Sequence, residues 1–365
     1  MSKIFRAIGL MSGTSLDGID LAMIESDGEF YIKLLKNDYC EYSNDFRNRL
    51  RKLIFENTTL ENIKEIENEI TILHVNLVNN FLEKNNIKAS EIDLIGFHGQ
   101  TIFHQPSKKI TWQIGNVQLL ALETGIKTVG DFRVRDILNG GQGAPLVPIY
   151  HYYLFSKLSN PSVILNIGGV SNLTYFDEDL KNLQAFDVCF GNAPSNDLMH
   201  KKFQKEFDKN GDLAKSGKVN SELVKKILEH KIFNQKFPKS FSRNDFDEAL
   251  EPLQKLEPQD ILACYSQIFV EVLERDLEQL PKKTRQIIVC GGGANNKNLL
   301  TVLQKKFNDI KICTAQDLGF NNNTIEAEAF AFLAIRRIKN LPITFNKTTG
   351  ILKNEGEIGG VIFEK

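Results

Sequence analysis

The sequence predicts an α/β protein built twice over, as two lobes that each carry a mixed sheet flanked by helices. Three observations predict it. The chain's 365 residues exceed what one hydrophobic core usually holds, since single cores stop growing at about 250–300 residues. Its first third runs as three short apolar stretches and then alternates helix and strand. From Val163 the same order begins again, with a polar first turn in the same place. No short-period repeat is present, so the duplication is at the scale of a domain.

In the first half, Ile4–Leu10, Leu21–Glu25 and Tyr31–Leu35 are separated by turn residues and make a three-strand meander. Leu60, Ile63, Ile66, Ile70, Leu73, Leu77 and Phe81 then recur at helical steps of three and four. Thr58 and Glu61 form the expected capping box of that helix. Ile92–Phe97 is nearly all apolar, as a strand buried on both faces is, and it ends in His98-Gly99-Gln100-Thr101. Val117–Thr124 reads as a helix and Lys127–Gly130 as a short strand.

The second half opens with a strand at Val163–Leu165, a turn at Asn166–Asn172, and strands at Leu173–Phe176 and Leu183–Phe186, the last ending at Asp187. Helical and irregular chain follows. Gln286–Cys290 then reads as a strand running into Gly291-Gly292-Gly293, with a helix at Lys297–Phe307, a strand at Ile310–Cys313 and a helix at Thr324–Ile338. Two such lobes facing one another would enclose a cleft, and ligands of these sheets sit at strand ends and lobe junctions.

The first turn of the first half, Gly13–Asp20, is too long and too polar for an ordinary hairpin tip. Glycines let backbone N–H groups converge on an anion, hydroxyls add donors, and carboxylates can hold Mg²⁺ through water. It reads as a phosphate-gripping loop, with Asp17 and Asp20 as candidates for organising the metal's waters. Asn166–Asn172 occupies the equivalent place in the second half, so the two turns are expected to hold one nucleotide's phosphates from both sides. Gly291–Gly293 lies between strand and helix, where bare backbone can approach a flat ligand. Its spacing is not the dinucleotide Gly-x-Gly-x-x-Gly, and no Walker-A Gly-Lys-Ser/Thr occurs, which favours adenosine over a nicotinamide. Asp187, at a strand end, is placed to act as a general base. Asp131–Asp136, with Arg133 and Arg135, is expected between the lobes, where arginine forks suit carboxylates and phosphates. His98 is the better ligand contact of the two histidines near the strand end, His104 being the other. Pro238-Lys239-Ser240 is a turn.

Bulk properties exclude other classes. A formal net charge of −1 with 25% charged and 42% hydrophobic residues gives no reason to expect nucleic acid or a membrane surface as partner. No apolar run approaches the ~20 residues of a membrane span, and Met1–Arg6 enters the first hairpin without an apolar leader. Five scattered cysteines with no Cys-x-x-Cys argue against a disulfide framework or structural zinc and fit a reducing cytoplasm.

The chain resembles the anhydro-N-acetylmuramic acid kinase family of the sugar kinase/Hsp70/actin superfamily. The motifs that carry the likeness are Gly9–Asp20, Gly96–Thr101, Gln113–Gly115, Gly130–Arg133, Gly140–Pro148, Leu165–Leu173, Pro238–Ser240, Cys290–Ala294 and Ile325–Ala334. They span nearly the whole chain in the family's order. The resemblance implies two ribonuclease H-like (actin-like ATPase) lobes with mixed five-stranded sheets. Lobe I would cover 1–131, with 340–365 packing back on it, and lobe II 132–339. It implies ATP with Mg²⁺, hydrolytic opening of a 1,6-anhydro ring with phosphorylation of O6 in cell-wall recycling, and a homodimer. Asp187 matches the family's catalytic aspartate, and Arg133 the arginine that meets the lactyl carboxylate. Ser12, His98 and Glu326 match sugar-site positions. Gly13, Thr14, Ser15, Leu16, Asp17, Gly18, Ile19 and Asp20 match one phosphate loop, and Asn166, Gly168 and Gly169 the other. Gly291, Gly292 and Gly293 match the adenosine region. Where the family has Thr-Gly-Pro-Gly-Asn after the aspartate, this chain has Val188-Cys189-Phe190-Gly191-Asn192, a bulkier turn expected at the sugar pocket. The alternatives are a superfamily kinase acting on an intact sugar hydroxyl, or a non-enzymatic actin-like nucleotide switch.

Overall fold

A computed structural model of the chain describes residues 3–13, 15–237, 239–321, 324–353 and 355–365. The meander is β1 (Phe5–Ser12), β2 (Gly18–Ser26) and β3 (Ile32–Glu41). After it come α1 (Asn44–Phe55), α2 (Leu60–Lys84), β4 (Leu94–Gln105), β5 (Ile110–Ile114), α3 (Val117–Thr124), β6 (Thr128–Gly130), α4 (Val134–Leu138) and α5 (Pro148–Phe155). The second meander is β7 (Ser162–Ile167), β8 (Val170–Phe176) and β9 (Gln184–Phe190). It leads through α6 (Ala193–Phe203), α7 (Asp212–Ser216), α8 (Ser221–Leu228), α9 (Asp247–Leu250) and α10 (Pro258–Glu278) to β10 (Gln286–Cys290), α11 (Lys297–Lys306) and β11 (Lys311–Thr314). The chain closes with α12 (Ile325–Ile338), α13 (Asn346–Thr349) and β12 (Val361–Phe363).

Two compact units result: Met1–Leu154 with Asn323–Lys365, and Phe155–Asn322. The sheet of the second unit has the order β11-β10-β7-β8-β9. Its first meander strand, β7, pairs antiparallel with β8 and parallel with β10. The sheet of the first unit repeats that plan as β6-β4-β1-β2-β3, with β1 antiparallel to β2 and parallel to β4. This is the duplicated plan expected. Unit 1 departs from five strands in two additions. β5 folds back on the long β4 as a hairpin, and β12 pairs antiparallel with β6 at the sheet edge.

Each core follows from its apolar pattern. In unit 1, Ile8, Leu10, Ile19 and Leu21 of the sheet pack with Ile66, Ile70, Val78 and Phe81 of α2. In unit 2, Val163, Leu165, Leu173 and Val289 pack with Ile268, Phe269 and Leu273 of α10. The cap of α2 is one residue later than expected. Thr59, in extended conformation, accepts from Asn62 N–H at 3.2 Å, while Thr58 instead takes the Asn62 side-chain amide.

The units divide at 154 and 323 in place of the expected 131 and 339, and two glycines explain why α12 belongs to unit 1. A Cβ on Gly9 of β1 would lie 1.8 Å from the Ala327 carbonyl oxygen, and one on Gly96 of β4 would lie 2.0 Å from that of Phe330. Bare backbone in both strands lets α12 press directly onto the unit 1 sheet. The stretch Asp131–Asp136 likewise lies inside unit 1. Buried Asp136 accepts from Gly143 N–H (2.7 Å) and the Thr349 hydroxyl (2.6 Å), and Arg135 pairs with Glu357 at 2.7 Å.

Because the atom that a Gly9 Cβ would meet is backbone, it has little room to yield. Gly9→Val is expected to destabilise the protein by about 2–3 kcal/mol or more through overpacking, read as a lowered midpoint in urea and thermal melts.

Candidate active site

In unit 1, the turn after β1 is shaped by its neighbours. Leu16 takes a left-handed conformation (φ +56°), held there because its side chain is buried in the core. Its carbonyl accepts from Arg47 Nε at 2.9 Å, and the Asp17 carbonyl accepts from Tyr42 N–H at 2.9 Å. The Ser15 hydroxyl donates to Asp17 Oδ1 at 2.5 Å. Gly18 opens β2 where a Cβ would strike the Cys40 carbonyl and the Tyr39 ring, and Ile19 is wholly buried. Leu16 and Ile19 therefore have only main chain to offer a ligand, whereas Gly13, Ser15 and Asp17 are accessible. Thr14 and Pro238 lie outside the described residues.

Asp20 stands opposite Met11 and Tyr39 in the sheet. Partial burial, followed by repulsion from Asp17 and Glu326, pushes its carboxyl up to about 7. Glu326, in the first turn of α12, is solvent-accessible yet hemmed in by protein atoms. Loss of solvent raises its carboxyl and Arg133 opposes that rise. The three carboxylates thus form an acidic pole.

At the end of β1 the Ser12 hydroxyl donates to Gln100 Oε1 at 2.5 Å and lies 2.7 Å from the Tyr42 hydroxyl. His98 sits inside β4, where pairing with β1 gives way to the β5 hairpin, rather than at a strand end. Its Nδ1 donates to the Gly99 carbonyl (2.7 Å), which leaves Nε2 to accept from Arg133 Nε (3.0 Å) and Nη2 (2.9 Å). Burial first, and Arg133 second, hold the imidazole well below its ordinary range, so it is neutral. Arg133 Nη1 also donates to the Gly143 carbonyl at 2.7 Å. Both ring nitrogens of His98 are thus engaged, and the histidine orients Arg133. Sequence reasoning missed Gln100 and Tyr42. Gln100 stood in a quoted motif, but its partner is 88 positions away.

In unit 2, three turns converge. The Gly168 carbonyl accepts from Asn192 N–H (2.7 Å) and that of Gly169 from Gly191 N–H (2.9 Å). Asn192 Nδ2 donates to the Ile167 carbonyl at 3.0 Å. A Cβ on Gly291 would lie 2.3 Å from Asn166 Oδ1, one on Gly293 2.4 Å from the Ile167 side chain, and one on Gly191 2.3 Å from the Gly168 carbonyl oxygen. The Asn166–Gly169, Gly191–Asn192 and Gly291–Gly293 segments therefore form one surface of closely packed main chain, suited to an approaching phosphate or adenosine.

Asp187 is not the end of its strand. β9 runs on to Phe190, and its pairing with β8 jumps from Asn172↔Asp187 to Ser171↔Cys189. Val188 is the extra residue of a β-bulge, the device that re-aims side chains beside active sites. The Ser171 hydroxyl supports it by reaching the carbonyl oxygens of Cys189 (2.9 Å) and Phe190 (3.2 Å). Asp187 Oδ2 accepts from Phe241 N–H at 2.8 Å. Burial pushes the carboxyl up to about 6, against the opposing pull of the Phe241 N–H, the Ser240 hydroxyl and Lys239. Val188, Cys189 and Phe190 are all buried, and the Phe190 ring packs against Phe233, Phe246 and Tyr265. The bulkier turn thus fills unit 2's core.

The chain is similar to known proteins over nearly its whole length. A family model described as anhydro-N-acetylmuramic acid kinase matches residues 5–365. A protein of that name from Zymomonas mobilis subsp. mobilis is 39% identical over 354 residues, covering 94% of this chain and 96% of its own. One from Brucella canis is 38% identical over 364 residues, covering 96% of each. Among solved structures, the activator of the 2-hydroxyisocaproyl-CoA dehydratase from Clostridium difficile, with bound ADPNP, superposes at a TM-score of 0.45. It has 12% identity over 92% of this chain and 96% of that one.

Gly291 adopts φ +73°, ψ −174°, a region that is essentially glycine-only and costs other residues about 1–3 kcal/mol. Gly291→Ala is expected to lower the melting temperature and to weaken ATP binding in calorimetry. Gly319→Ala, also at positive φ but with nothing within 4 Å of its Cβ, should leave ATP binding unchanged.

Proposed function

The chain belongs to the anhydro-N-acetylmuramic acid kinase family, and from that premise we propose how its own residues perform the reaction. It is an ATP-dependent sugar kinase. Asp187 is the general base. It takes a proton from the water that attacks the anomeric carbon of the 1,6-anhydro sugar. As the C1–O6 bond breaks, O6 takes the γ-phosphoryl group of ATP, giving ADP and N-acetylmuramate 6-phosphate. The observation that carries this reading is the state of Asp187: half-buried, oriented by the Phe241 N–H, and raised to about 6. Such a carboxylate is ionised at neutral pH yet basic enough to accept a proton.

Arg133 meets the lactyl carboxylate. Among the described residues, His98 and the Gly143 carbonyl take only part of its guanidinium, so N–H donors on both terminal nitrogens remain for a carboxylate. His98 serves by orienting Arg133, and Ser12 and Glu326 line the sugar. The burial of Val188, Cys189 and Phe190 supports the family's sugar as substrate, since the departure from the family's turn is absorbed by the core. The turns at Gly13–Asp20 and Asn166–Gly169 hold phosphates, and Gly291–Gly293 the adenosine.

The acidic pole fits Mg²⁺. Repulsion of Asp20 by Asp17 and Glu326 is the kind of imbalance a divalent cation relieves. Among the described residues no group of three or more His, Cys, Asp or Glu could hold a metal by itself, so Asp17 and Asp20 would hold its waters while the nucleotide supplies the other oxygens. Bound there, Mg²⁺ would supply positive charge to offset that of the phosphates being transferred. All five cysteines are free, which supports a reducing cytoplasm, and among the described residues no helix is long and apolar enough to cross a membrane. A homodimer is the expected assembly, and light scattering of the purified chain decides it.

Asp187→Asn is expected to abolish turnover of ATP with anhydro-N-acetylmuramic acid while ATP still binds; full activity would remove Asp187 as the base. Because the base works ionised, kcat/KM should rise as pH increases through about 6 and be lost below it. In ¹⁸O-water, label should enter the anomeric hydroxyl beyond the product's own exchange. Phosphorylation without label would point to an intact sugar hydroxyl as acceptor, and ATP hydrolysis indifferent to sugar to a nucleotide switch.

A further inference from the structure

We propose that the buried Lys239–Asp276 ion pair is a positioning device for Asp187, clamping the Lys239–Phe241 segment across the bulge in β9. The inference rests on Asp187 being the base. Lys239 and Asp276 lie 51 or more positions from Val188 and 37 from each other, so nothing local in the sequence joins them.

The clamp has two sides. On one, the Lys239 ammonium donates to Asp276 Oδ1 (2.7 Å) and Oδ2 (2.8 Å) on α10 and to the Val188 carbonyl (3.2 Å), which occupies all its donors. Val188 is the residue left over by the bulge. On the other side, the segment's main chain grips the base: Asp187 N–H donates to the Lys239 carbonyl (3.1 Å), and Phe241 N–H donates to Asp187 Oδ2 (2.8 Å). The same short segment thus holds the backbone and the carboxylate of Asp187, and the ammonium anchors it to α10.

The surroundings make this an expensive way to gain stability alone. The side chains of Lys239 and Asp276 are 2% and 4% exposed, and the ammonium lies over the rings of Phe186 (5.7 Å) and Phe237 (5.6 Å), which stack at 3.8 Å. Withdrawing two charges from water into an aromatic wall typically costs more than their attraction returns, and an apolar pair of similar volume often does as well or better. What an apolar pair lacks is a donor for Val188 and an anchor with one direction. The other polar groups facing this point are Arg275 beside Asp276, the Cys189 thiol, and the Ser240 hydroxyl at Asp187.

Removing both charges together separates positioning from stability. Lys239→Met/Asp276→Leu in the full chain leaves no buried charge unpaired and is expected to melt within a few degrees of the wild type. Its kcat should fall by about 10- to 100-fold, the scale of a misplaced reacting group, with KM for ATP unchanged. The acidic limb of its pH profile should move upward, because Lys239 no longer favours the ionised base. Asp276→Asn keeps the shape but leaves one neutral acceptor in place of the charged pair of oxygens. It is expected to lower kcat and to move the limb downward, as an uncompensated Lys239 favours the ionised base, even if the double variant fails to fold. Wild-type kcat and an unmoved limb in a folded variant, beside an inactive Asp187→Asn, would overturn the positioning role alone. Lost activity that only tracks lost stability, with the limb unmoved, would overturn it as well. Retained turnover in Asp187→Asn would overturn the base assignment and the inference with it.

Discussion

One surplus residue in β9 determines the setting of Asp187 in unit 2. Without Val188 the β8–β9 pairing would run on in register, and the side chains of Asp187 and Cys189 would alternate with the pleat of a regular strand. The bulge breaks that alternation and frees a carbonyl that the ladder cannot satisfy. Buried carbonyls need partners, and here Lys239 supplies one while the Ser171 hydroxyl takes the next two along the strand. The orientation of the carboxylate is thus a by-product of satisfying main-chain groups.

Unit 1 solves a related problem with opposite means. A guanidinium proposed to meet an anion must be held still without spending its charge on a protein carboxylate. A neutral histidine does this, because its acceptor nitrogen takes the guanidinium while its other nitrogen is tied to the backbone. An ionised histidine would repel Arg133, and burial keeps that form out of reach. Negative charge instead collects at Asp17, Asp20 and Glu326, where Asp20 carries the strain as a raised carboxyl.

Much of this was legible from the chain alone. Two meanders with polar first turns announced the duplicated plan, because apolar alternation and glycine placement are local signals. The glycine turns stood out for the same reason, whereas the roles proposed for Asp187 and Arg133 came from the likeness to the family. Strand β12 was not legible, since three residues near the C-terminus carry no period and are a strand only by pairing with β6. The allegiance of α12 was hidden too. Its apolar face fits any sheet, and only the bare backbone of Gly9 and Gly96 shows which one it meets. The bulge, Gln100's bond to Ser12 and the Lys239–Asp276 pair all join residues far apart in sequence, where spacing carries no information.

The two units also differ in when they can be completed. Unit 2 is one uninterrupted stretch, Phe155–Asn322, whereas unit 1 begins the chain and ends it. A ribosome delivers every strand of unit 2 before the first residue of α12 exists. Until then Gly9 and Gly96 present bare sheet with no helix to cover it, and β6 has no β12 along its outer edge. Since domains fold as units during synthesis, the half that is begun first is the half finished last.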